Sequence, residues 1–183
     1  MFTGIVQERG RATMNGTQLS VQTGIRAKIG DSVAIDGVCL TVTGGDNSHL
    51  VFDVAVETKN RAKRFGAEVN VEPALSAGDS LGGHYVQGHV DGVGRIRSLE
   101  PEGEDKRMWV EAPDEVLRYC VEKGSITVDG VALTITALTD DAFEVALVPH
   151  TLEVTTLGKR GPGDQVNLET DVLAKYVEKL LPH

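Results

Sequence analysis

The chain has 183 residues, 40% of them hydrophobic, and a formal net charge of −9 at pH 7. This length fits two domains of about 90 residues each, and the acidic balance argues against a nucleic-acid-binding surface. The two cysteines, Cys39 and Cys120, form no Cys-x-x-Cys pair, which argues against a zinc site or a disulfide framework. No apolar run reaches the roughly 18 residues of a membrane span, and the start lacks signal-peptide regions. We therefore expect a cytoplasmic enzyme or binding protein with no nucleic-acid or membrane partner.

The first half of the chain reads as short strands separated by turn signals. Residues 32–43, S-V-A-I-D-G-V-C-L-T-V-T, predict a strand, an Asp-Gly turn and a second strand. The other predicted strands are a pair within residues 2–24 (around Gly4-Ile5-Val6 and Gln18-Leu19-Ser20-Val21, joined near Asn15-Gly16), residues 50–56 and residues 69–72. Six such strands with almost no helical period predict a closed barrel with Greek-key connections, because closure removes the sheet edges.

The hairpin then recurs. Residues 125–136 read S-I-T-V-D-G-V-A-L-T-I-T, 93 positions later (125 − 32), and seven of the twelve residues are identical. Repetition along the chain indicates an internal duplication, and therefore a second barrel. Its other predicted elements are strands at 90–98, 107–111, 143–148 and 166–169, and a short helix at 112–121. From Thr58 to Glu72 is 14 positions (72 − 58), but from Thr151 to Glu169 is 18 (169 − 151), so the first copy is four residues shorter there.

The tail differs from both barrels. Apolar residues at 172, 173, 176, 177, 180 and 181 form one helical stripe. We interpret it as an oligomerisation helix, with docking against the chain's own barrels as the alternative. The predicted fold is therefore all-β, with barrels at residues 1–86 and 87–170 and a C-terminal helix at 171–183.

The linker between the barrels, residues 82–92, contains two histidines among several glycines, and glycine permits close approach of a ligand. A zinc site would need further Cys or His ligands nearby, and a phosphate loop would need a following Lys-Ser/Thr helix. For His84, a hydrogen-bonding role in the linker and a functional role both remain open. His89 is the candidate proton carrier, because imidazole can move protons near neutral pH.

Cys39 and Ala132 occupy equivalent hairpin positions, and only the first can react. Cys39 is either a nucleophile or a small buried hydrophobic residue. Thr41 and Thr134 lie two positions further along and face the same way, and in a small barrel that face can line a ligand mouth. Ser32 either caps the preceding connector or faces the same ligand.

Six motifs in order along the whole chain resemble the alpha-chain type of riboflavin synthase. They are M-F-T-G-I-V, G-V-C-L-T-V, G-G-H-Y-V-Q-G-H-V-D, K-G-S-I-T-V-D-G-V-A-L-T, V-P-H-T-L-E-V-T-T-L-G and the V-N-x-E pair. The resemblance implies two six-stranded barrels and a helix that gathers a homotrimer. Each barrel would bind one 6,7-dimethyl-8-ribityllumazine, without cofactor or metal. One lumazine would transfer four carbons to the other, giving riboflavin and 5-amino-6-ribitylaminouracil. Association with lumazine synthase is a further implied interaction.

The resemblance also implies the site residues, at an interface between the N-terminal barrel of one subunit and the C-terminal barrel of another. The implied catalytic residues are His89, Cys39, Ser32, Phe2 and Asp129. The implied substrate-binding residues are Thr3, Gly4, Val6, Thr41, Ala55, Glu57, Thr58, Gly88, Val90, Lys123, Ala132, Thr134, Pro149, His150 and Thr151. Proton transfer at the lumazine 7-methyl group and addition of a nucleophile to the acceptor ring would complement the proximity of two stacked rings.

The chain departs from the family pattern in three places. Ala132 replaces the usual Ser, Pro73 stands where Arg is common, and the loop at residues 59–66 is shortened and basic. We expect its basic run, residues 59–64, to be a solvated loop. Lumazine proteins, which are non-catalytic relatives, supply the alternative function of ligand binding without turnover. A duplicated-barrel interaction module is the third class, and no motif supports it.

Overall fold

The computed structural model describes residues 1–181 and contains two closed antiparallel barrels of six strands, followed by a helix. The predicted all-β, duplicated-barrel fold is confirmed. The N-terminal barrel consists of β1 (Glu8–Asn15), β2 (Gln18–Gln22), β3 (Ser32–Ile35), β4 (Val38–Gly45), β5 (His49–Asp53), helix α1 (Val56–Arg61) and β6 (Glu68–Pro73). The C-terminal barrel consists of β7 (Gly92–Glu102), β8 (Asp105–Glu111), helix α2 (Asp114–Leu117), β9 (Ser125–Val128), β10 (Val131–Leu138), β11 (Ala142–Leu147), helix α3 (Pro149–Val154), a 3₁₀ turn (Thr156–Lys159) and β12 (Gln165–Thr170).

Strand order is β1-β2-β5-β4-β3-β6 in the first barrel and β10-β11-β8-β7-β12-β9 in the second. Each barrel closes through an antiparallel pair, β1 with β6 and β10 with β9. A register shift interrupts β4–β5 between Val42 and Gly44, and another interrupts β10–β11 between Ile135 and Ala137. The two irregularities are 93 positions apart (135 − 42), so the duplication includes this bulge.

Alternation along the strands places one face in each core and the other outside. In β4, Val38, Leu40 and Val42 are buried in the N-terminal core, whereas Cys39 is only partly buried and Thr41 is exposed. The outward face of the hairpin strand, and not the barrel interior, is therefore available to a ligand.

Several predicted boundaries were wrong, and three of them bear on the elements around the site. Residues 4–6 are not part of the first strand, since β1 begins at Glu8. The strand predicted at 50–56 ends at Asp53, because Val56 begins α1. The helix predicted to about residue 121 ends at Leu117. Helices α1 and α3, of six residues each, are too short to produce a helical period in the sequence.

The barrels meet at their repeated Asp-Gly turns. Asp36 and Asp129 have φ values of +46° and +49°, and both following glycines also have positive φ, as type I′ turns require. A Cβ on Gly37 would lie 2.7 Å from the amide nitrogen of Gly130, and the reverse distance is also 2.7 Å. The turns therefore pack backbone against backbone, and neither glycine position has room for a side chain.

Two asparagines from the V-N-x-E motifs tie the turns together. The Nδ2 of Asn70 donates to the carbonyl of Asp129 at 2.8 Å, and the Nδ2 of Asn167 donates to the carbonyl of Asp36 at 2.9 Å. Each asparagine therefore links its own barrel to the turn of the other barrel.

The basic run at residues 59–64 is not simply solvated, so that prediction was wrong for Lys63. Lys63 is buried, and its Nζ lies 2.5 Å from Oδ2 of Asp36 and 3.5 Å from Oδ1 of Asp129. Lys59 and Arg64 in the same run are exposed, as predicted, but Lys59 lies in helix α1 and not in a loop.

Helix α4 (Val172–Leu180) confirms the predicted tail helix, and Asp171 caps it by accepting from the amide of Leu173. Its apolar stripe does not dock on the chain's own barrels, because Leu173, Val177 and Leu180 are 54%, 58% and 81% exposed. Pro182 and His183, at the end of the predicted tail, lie outside the described residues. Among residues 1–181, no helix has the length and apolar character needed to traverse a membrane.

Candidate active site

A pocket of about 450 Å³ lies on the outer face of the N-terminal barrel, between β4, α1 and the linker that leads into β7. Its lining residues are Val38, Cys39, Glu57, Thr58, Arg61, Ala62, Gly88, His89, Val90 and Asp91. The fold thus brings the candidate nucleophile, Cys39, and the candidate proton carrier, His89, to one cavity from distant parts of the chain. We call this cavity the N-terminal pocket.

Residues 86–91, which we call the strap, cover this pocket by docking on β4. Phe2 and Val86 exchange main-chain hydrogen bonds of 2.8 and 3.2 Å at the start of the strap. The amide of Cys39 donates to the carbonyl of Gly88 at 2.9 Å. Gly88 has φ +78°, and a Cβ there would lie 2.6 Å from the Cβ of Cys39. Only glycine fits this contact, which delivers the next residue, His89, to the pocket.

The N-terminal segment repeats this contact on the other barrel. The amide of Ala132 donates to the carbonyl of Gly4 at 2.8 Å. Gly4 has φ +77°, and a Cβ there would lie 2.6 Å from the Cβ of Ala132. Each barrel is therefore covered by the segment that leads into the other barrel. The residue after Gly4 is Ile5, so the second site has Ala132 and Ile5 where the first has a thiol and an imidazole.

Sequence reasoning missed two charged residues of the N-terminal pocket. Arg61, in the last turn of α1, forms a 3.4 Å ion pair with Glu57. Asp91 accepts from the Nζ of Lys175 on α4 at 2.5 Å and from the amide of Thr170 at 2.9 Å. The i, i+4 spacing of Glu57 and Arg61 was a usable signal, whereas the link between Asp91 and the tail helix had none in the sequence.

Comparison with known proteins decides the family. The profile of the lumazine binding domain matches residues 3–74 and again residues 87–171. The riboflavin synthase of Mycobacterium tuberculosis (strain ATCC 25618 / H37Rv) is 46% identical over 201 aligned positions, covering 99% of this chain and 98% of the relative. The chain belongs to the riboflavin synthase family. The resemblance inferred from the sequence motifs is confirmed.

Other members of the riboflavin synthase family are similar over nearly the same length. The riboflavin synthase of Chlamydia pneumoniae is 40% identical, covering 96% of this chain and 92% of the relative. Among solved structures, LumP complexed with riboflavin matches with a TM-score of 0.81 and 23% identity, covering 93% of this chain and 99% of that one. At that identity, the likeness to LumP shows the fold alone.

Among the other residues that the family resemblance implied for the N-terminal half, Ser32, Thr41, Ala55 and Phe2 do not line this pocket. Thr41 is on the same outward face of β4 as Cys39 and pairs with Ser32 across the hairpin. Ala55 is exposed at the N-terminus of α1. Phe2, in contrast, is fully buried in a small cluster with Ala34 and Val86, against which Cys39 packs.

The first residues of the chain belong structurally to the second site. Thr3 is buried, and its hydroxyl donates to Glu72 at 2.8 Å. Gly4 docks on Ala132 as described, and Val6 packs against the core of the C-terminal barrel. We therefore expect these residues to act on the C-terminal site, on which they dock, and not on the N-terminal pocket.

The residues implied for the C-terminal site fall into two groups. Lys123, Thr134, Pro149 and His150 are exposed, and Thr151 is half-buried on α3. The structure does not bring Asp129 to this surface. Asp129 is 0% exposed in the turn between the barrels, so its position is structural. This corrects the catalytic role that the family resemblance implied for it. The Asp-Gly turn motif alone could not reveal this burial.

Neither Cys120 nor His84 joins the N-terminal pocket. Burial raises the pKa of Cys120 to about 11, so this thiol is not a nucleophile at neutral pH. Burial lowers the pKa of His84 against the opposing effect of Asp171, and its amide donates to the carbonyl of Thr3 at 3.3 Å. Within the described part of the chain, no group of three or more His, Cys, Asp or Glu side chains is placed to hold a metal.

Proposed function

We propose that this chain is a riboflavin synthase, which converts two molecules of 6,7-dimethyl-8-ribityllumazine into riboflavin and 5-amino-6-ribitylaminouracil. The observation that carries the proposal is the meeting of Cys39 and His89 in a pocket of a riboflavin synthase family member. A transfer between two copies of one substrate suits a protein with two related binding surfaces. The remaining lining residues, including Glu57, Thr58 and Val90, would contact the lumazine.

The two sites would have different chemical tasks. In the N-terminal pocket, His89 would move the proton at the acidic 7-methyl group, and the Cys39 thiol would add to the lumazine ring or stabilise an added nucleophile. In the C-terminal site, Ala132 and Ile5 stand in place of the thiol and the imidazole, and the exposed residues around them would bind and orient the second lumazine. Stacking the two rings would supply much of the rate through proximity.

The departure at Ala132 does not redirect this proposal. A missing pocket hydroxyl costs about 0.5–1.5 kcal/mol of binding or transition-state stabilisation, which slows a reaction without ending it. The curated relatives retain the riboflavin synthase name at 36–46% identity, and this supports turnover over a ligand-holding function.

The direct test is incubation of purified protein with 6,7-dimethyl-8-ribityllumazine in the dark. We expect riboflavin to accumulate steadily, with an equal amount of 5-amino-6-ribitylaminouracil, as measured by chromatography with fluorescence and absorbance detection. Tight lumazine binding without either product would contradict the proposal and leave the lumazine-protein alternative.

The proposal includes a homotrimer assembled through α4, with each complete site formed between subunits. Its support is the exposed apolar stripe of α4, whose polar side faces the chain's own barrel through Lys175 and Asp91. Association with lumazine synthase and independence of cofactors or metals remain predictions from the family resemblance. Cytoplasmic location remains a prediction from the sequence pattern.

Truncation before Val172 should convert the assembly to monomers, with a mass about one third of the intact protein by light scattering. Because truncation also removes Lys175, a point substitution is the sharper test. Val177→Glu places a charge in the apolar stripe and should dissociate the subunits. Lys179→Glu, on the same turn but outside the stripe, should leave the mass unchanged. An intact trimer in the truncated protein would contradict the role of α4.

A further inference from the structure

The V-N-x-E motifs end in two buried carboxylates that the proposed chemistry does not use, Glu72 and Glu169. Glu169 is 2% exposed, and it accepts three hydrogen bonds from consecutive amides of the strap. Oε1 accepts from Gln87 at 2.7 Å, and Oε2 accepts from Gly88 at 2.9 Å and from His89 at 3.1 Å. A single side chain on the last strand of one barrel therefore fixes the backbone that covers the pocket of the other barrel.

Both barrels hold the strap at the same residues. Glu169, on β12 of the C-terminal barrel, accepts from the strap amides, and the amide of Cys39, on β4 of the N-terminal barrel, donates to the carbonyl of Gly88. The hydrogen bond from His89 to Glu169 uses the backbone amide of His89 and not its imidazole, so Glu169 fixes the backbone of a residue that lines the pocket.

We propose that Glu169 is a positioning residue, which holds the strap so that the His89 imidazole stands at the N-terminal pocket beside Cys39. This inference rests on the proposed function, because it assigns Glu169 a part in the same reaction. Glu169 acts through the backbone of residues 87–89 and does not itself touch the lumazine.

The strap needs a carboxylate and not an amide. Three N–H groups require three acceptor positions, and an ionised carboxylate is an acceptor at both oxygens. With glutamine, one end of the side chain becomes an NH₂ donor that faces an amide N–H, so at least one strap hydrogen bond is lost.

Glu72 provides an internal comparison within the same molecule. It accepts from the amide of Thr3 at 2.7 Å, the hydroxyl of Thr3 at 2.8 Å and the amide of Gly4 at 3.1 Å. Glu72 thus holds the backbone of the N-terminal segment as Glu169 holds the backbone of the strap. Only the strap carries an imidazole after its glycine, since Ile5 follows Gly4.

The charges around Glu169 give the device a pH signature. Burial raises the pKa of Glu169 to about 7, the Asp91 carboxylate adds to this rise, and the strap amides and Lys175 of α4 oppose it. The ionised form holds the strap, so turnover should fall as pH falls through about 7.

The free energy of unfolding should depend on pH in the opposite direction. Because folding raises this pKa above its ordinary 4.5, the group's contribution to stability is lost as pH rises between those values.

Glu169→Gln in the full chain tests the inference. At pH 8 we expect kcat to fall roughly tenfold to hundredfold, the scale of a small misplacement of a catalytic group, while KM changes little. Amide hydrogen exchange at residues 87–89 should accelerate, and the unfolding midpoint should be equal to or above that of the wild type. Glu72→Gln is the matched control: it should accelerate exchange at residues 3 and 4 but not at 87–89.

Wild-type kcat in Glu169→Gln, with an unchanged pH profile, would overturn the inference even if the strap exchanges faster. If Glu169→Gln does not fold, Lys175→Met replaces it. Removing this ammonium should raise the pKa of Glu169 further, so the fall of kcat on the acidic side of its pH profile should begin at a higher pH. An unchanged pH profile would overturn the inference. A wild-type protein that makes no riboflavin would instead overturn the proposed function, while the exchange data would still show whether Glu169 fixes the strap.

Discussion

Replacing His89 with alanine should lower turnover of the lumazine by about 10²–10⁴-fold, the usual contribution of a positioned acid–base group. Lumazine binding, measured by fluorescence titration, should weaken much less. The backbone amide of His89 would still donate to Glu169, and Gly88 would still dock on Cys39. The substitution therefore removes the imidazole from the pocket without releasing the strap.

His84→Ala is the matched control, because it alters the other histidine of the same linker. His84 does not line the pocket, and its main-chain hydrogen bond to Thr3 survives the substitution. It should retain most of the wild-type rate. Equal losses of kcat and of lumazine affinity in His89→Ala would show that His89 binds the ligand but does not transfer a proton.

Much of the fold could be predicted because its signals are local. An Asp-Gly pair between alternating strands specifies a tight hairpin, and its recurrence specifies a duplicated barrel. The outward direction of Cys39 and Thr41 follows from the two-residue period of a strand. Of the residues that the family motifs implied for this site, the structure gathers Cys39, Glu57, Thr58, Gly88, His89 and Val90 in one pocket. Ser32, Thr41 and Ala55, implied for the same site, do not line it.

The docking of the N-terminal segment on β10 and of the strap on β4 could not be predicted, because nothing near Gly4 or Gly88 in the sequence indicates which strand each would contact. Each glycine reads locally as a flexible linker position, and only the folded backbone shows that a Cβ would clash with Cys39 or Ala132. The same limit applies to Asp129. Its motif predicts the positive-φ position of a turn, but its burial results from packing against a second turn 93 residues away (129 − 36).

The four-residue difference between the copies also becomes clear only in three dimensions. In the C-terminal barrel, the 3₁₀ turn Thr156–Lys159 leads to Arg160, which lies 3.2 Å from Asp129 and 3.9 Å from Asp36. The N-terminal barrel lacks this turn. There, Lys63 occupies the position equivalent to Thr156, since their amides donate to Asn167 and Asn70 respectively. The long side chain of Lys63 therefore brings a cation to the two aspartates from the shorter loop, as Arg160 does from the longer one.

Lys63→Met should therefore lower the free energy of unfolding by about 3–5 kcal/mol, the usual cost of removing one partner from a buried ion pair. The Lys63 side chain is 3% exposed. Its loss leaves Asp36 and Asp129 with Arg160 as their remaining ion-pair partner among residues 1–181. The backbone amide of Lys63 would still donate to Asn167, so the change measures the ammonium and not the loop. Urea unfolding followed by circular dichroism provides the measurement.

The loss should grow with pH, and this dependence separates a charge effect from a packing effect. Burial first, and then the neighbouring Asp36 carboxylate, raise the pKa of Asp129 to about 7, whereas Lys63 lowers it. A carboxyl whose pKa rises on folding contributes less stability as pH increases from its ordinary value to the raised one. Without Lys63, the pKa of Asp129 should rise further, so Lys63→Met should be more destabilised relative to wild type at pH 8 than at pH 6.

The matched control is Arg64→Met, since Arg64 is an exposed residue of the same basic run. It should change the free energy of unfolding by no more than about 0.5 kcal/mol at either pH. If Lys63→Met were as stable as Arg64→Met, the buried ammonium would have no part in holding the two barrels together.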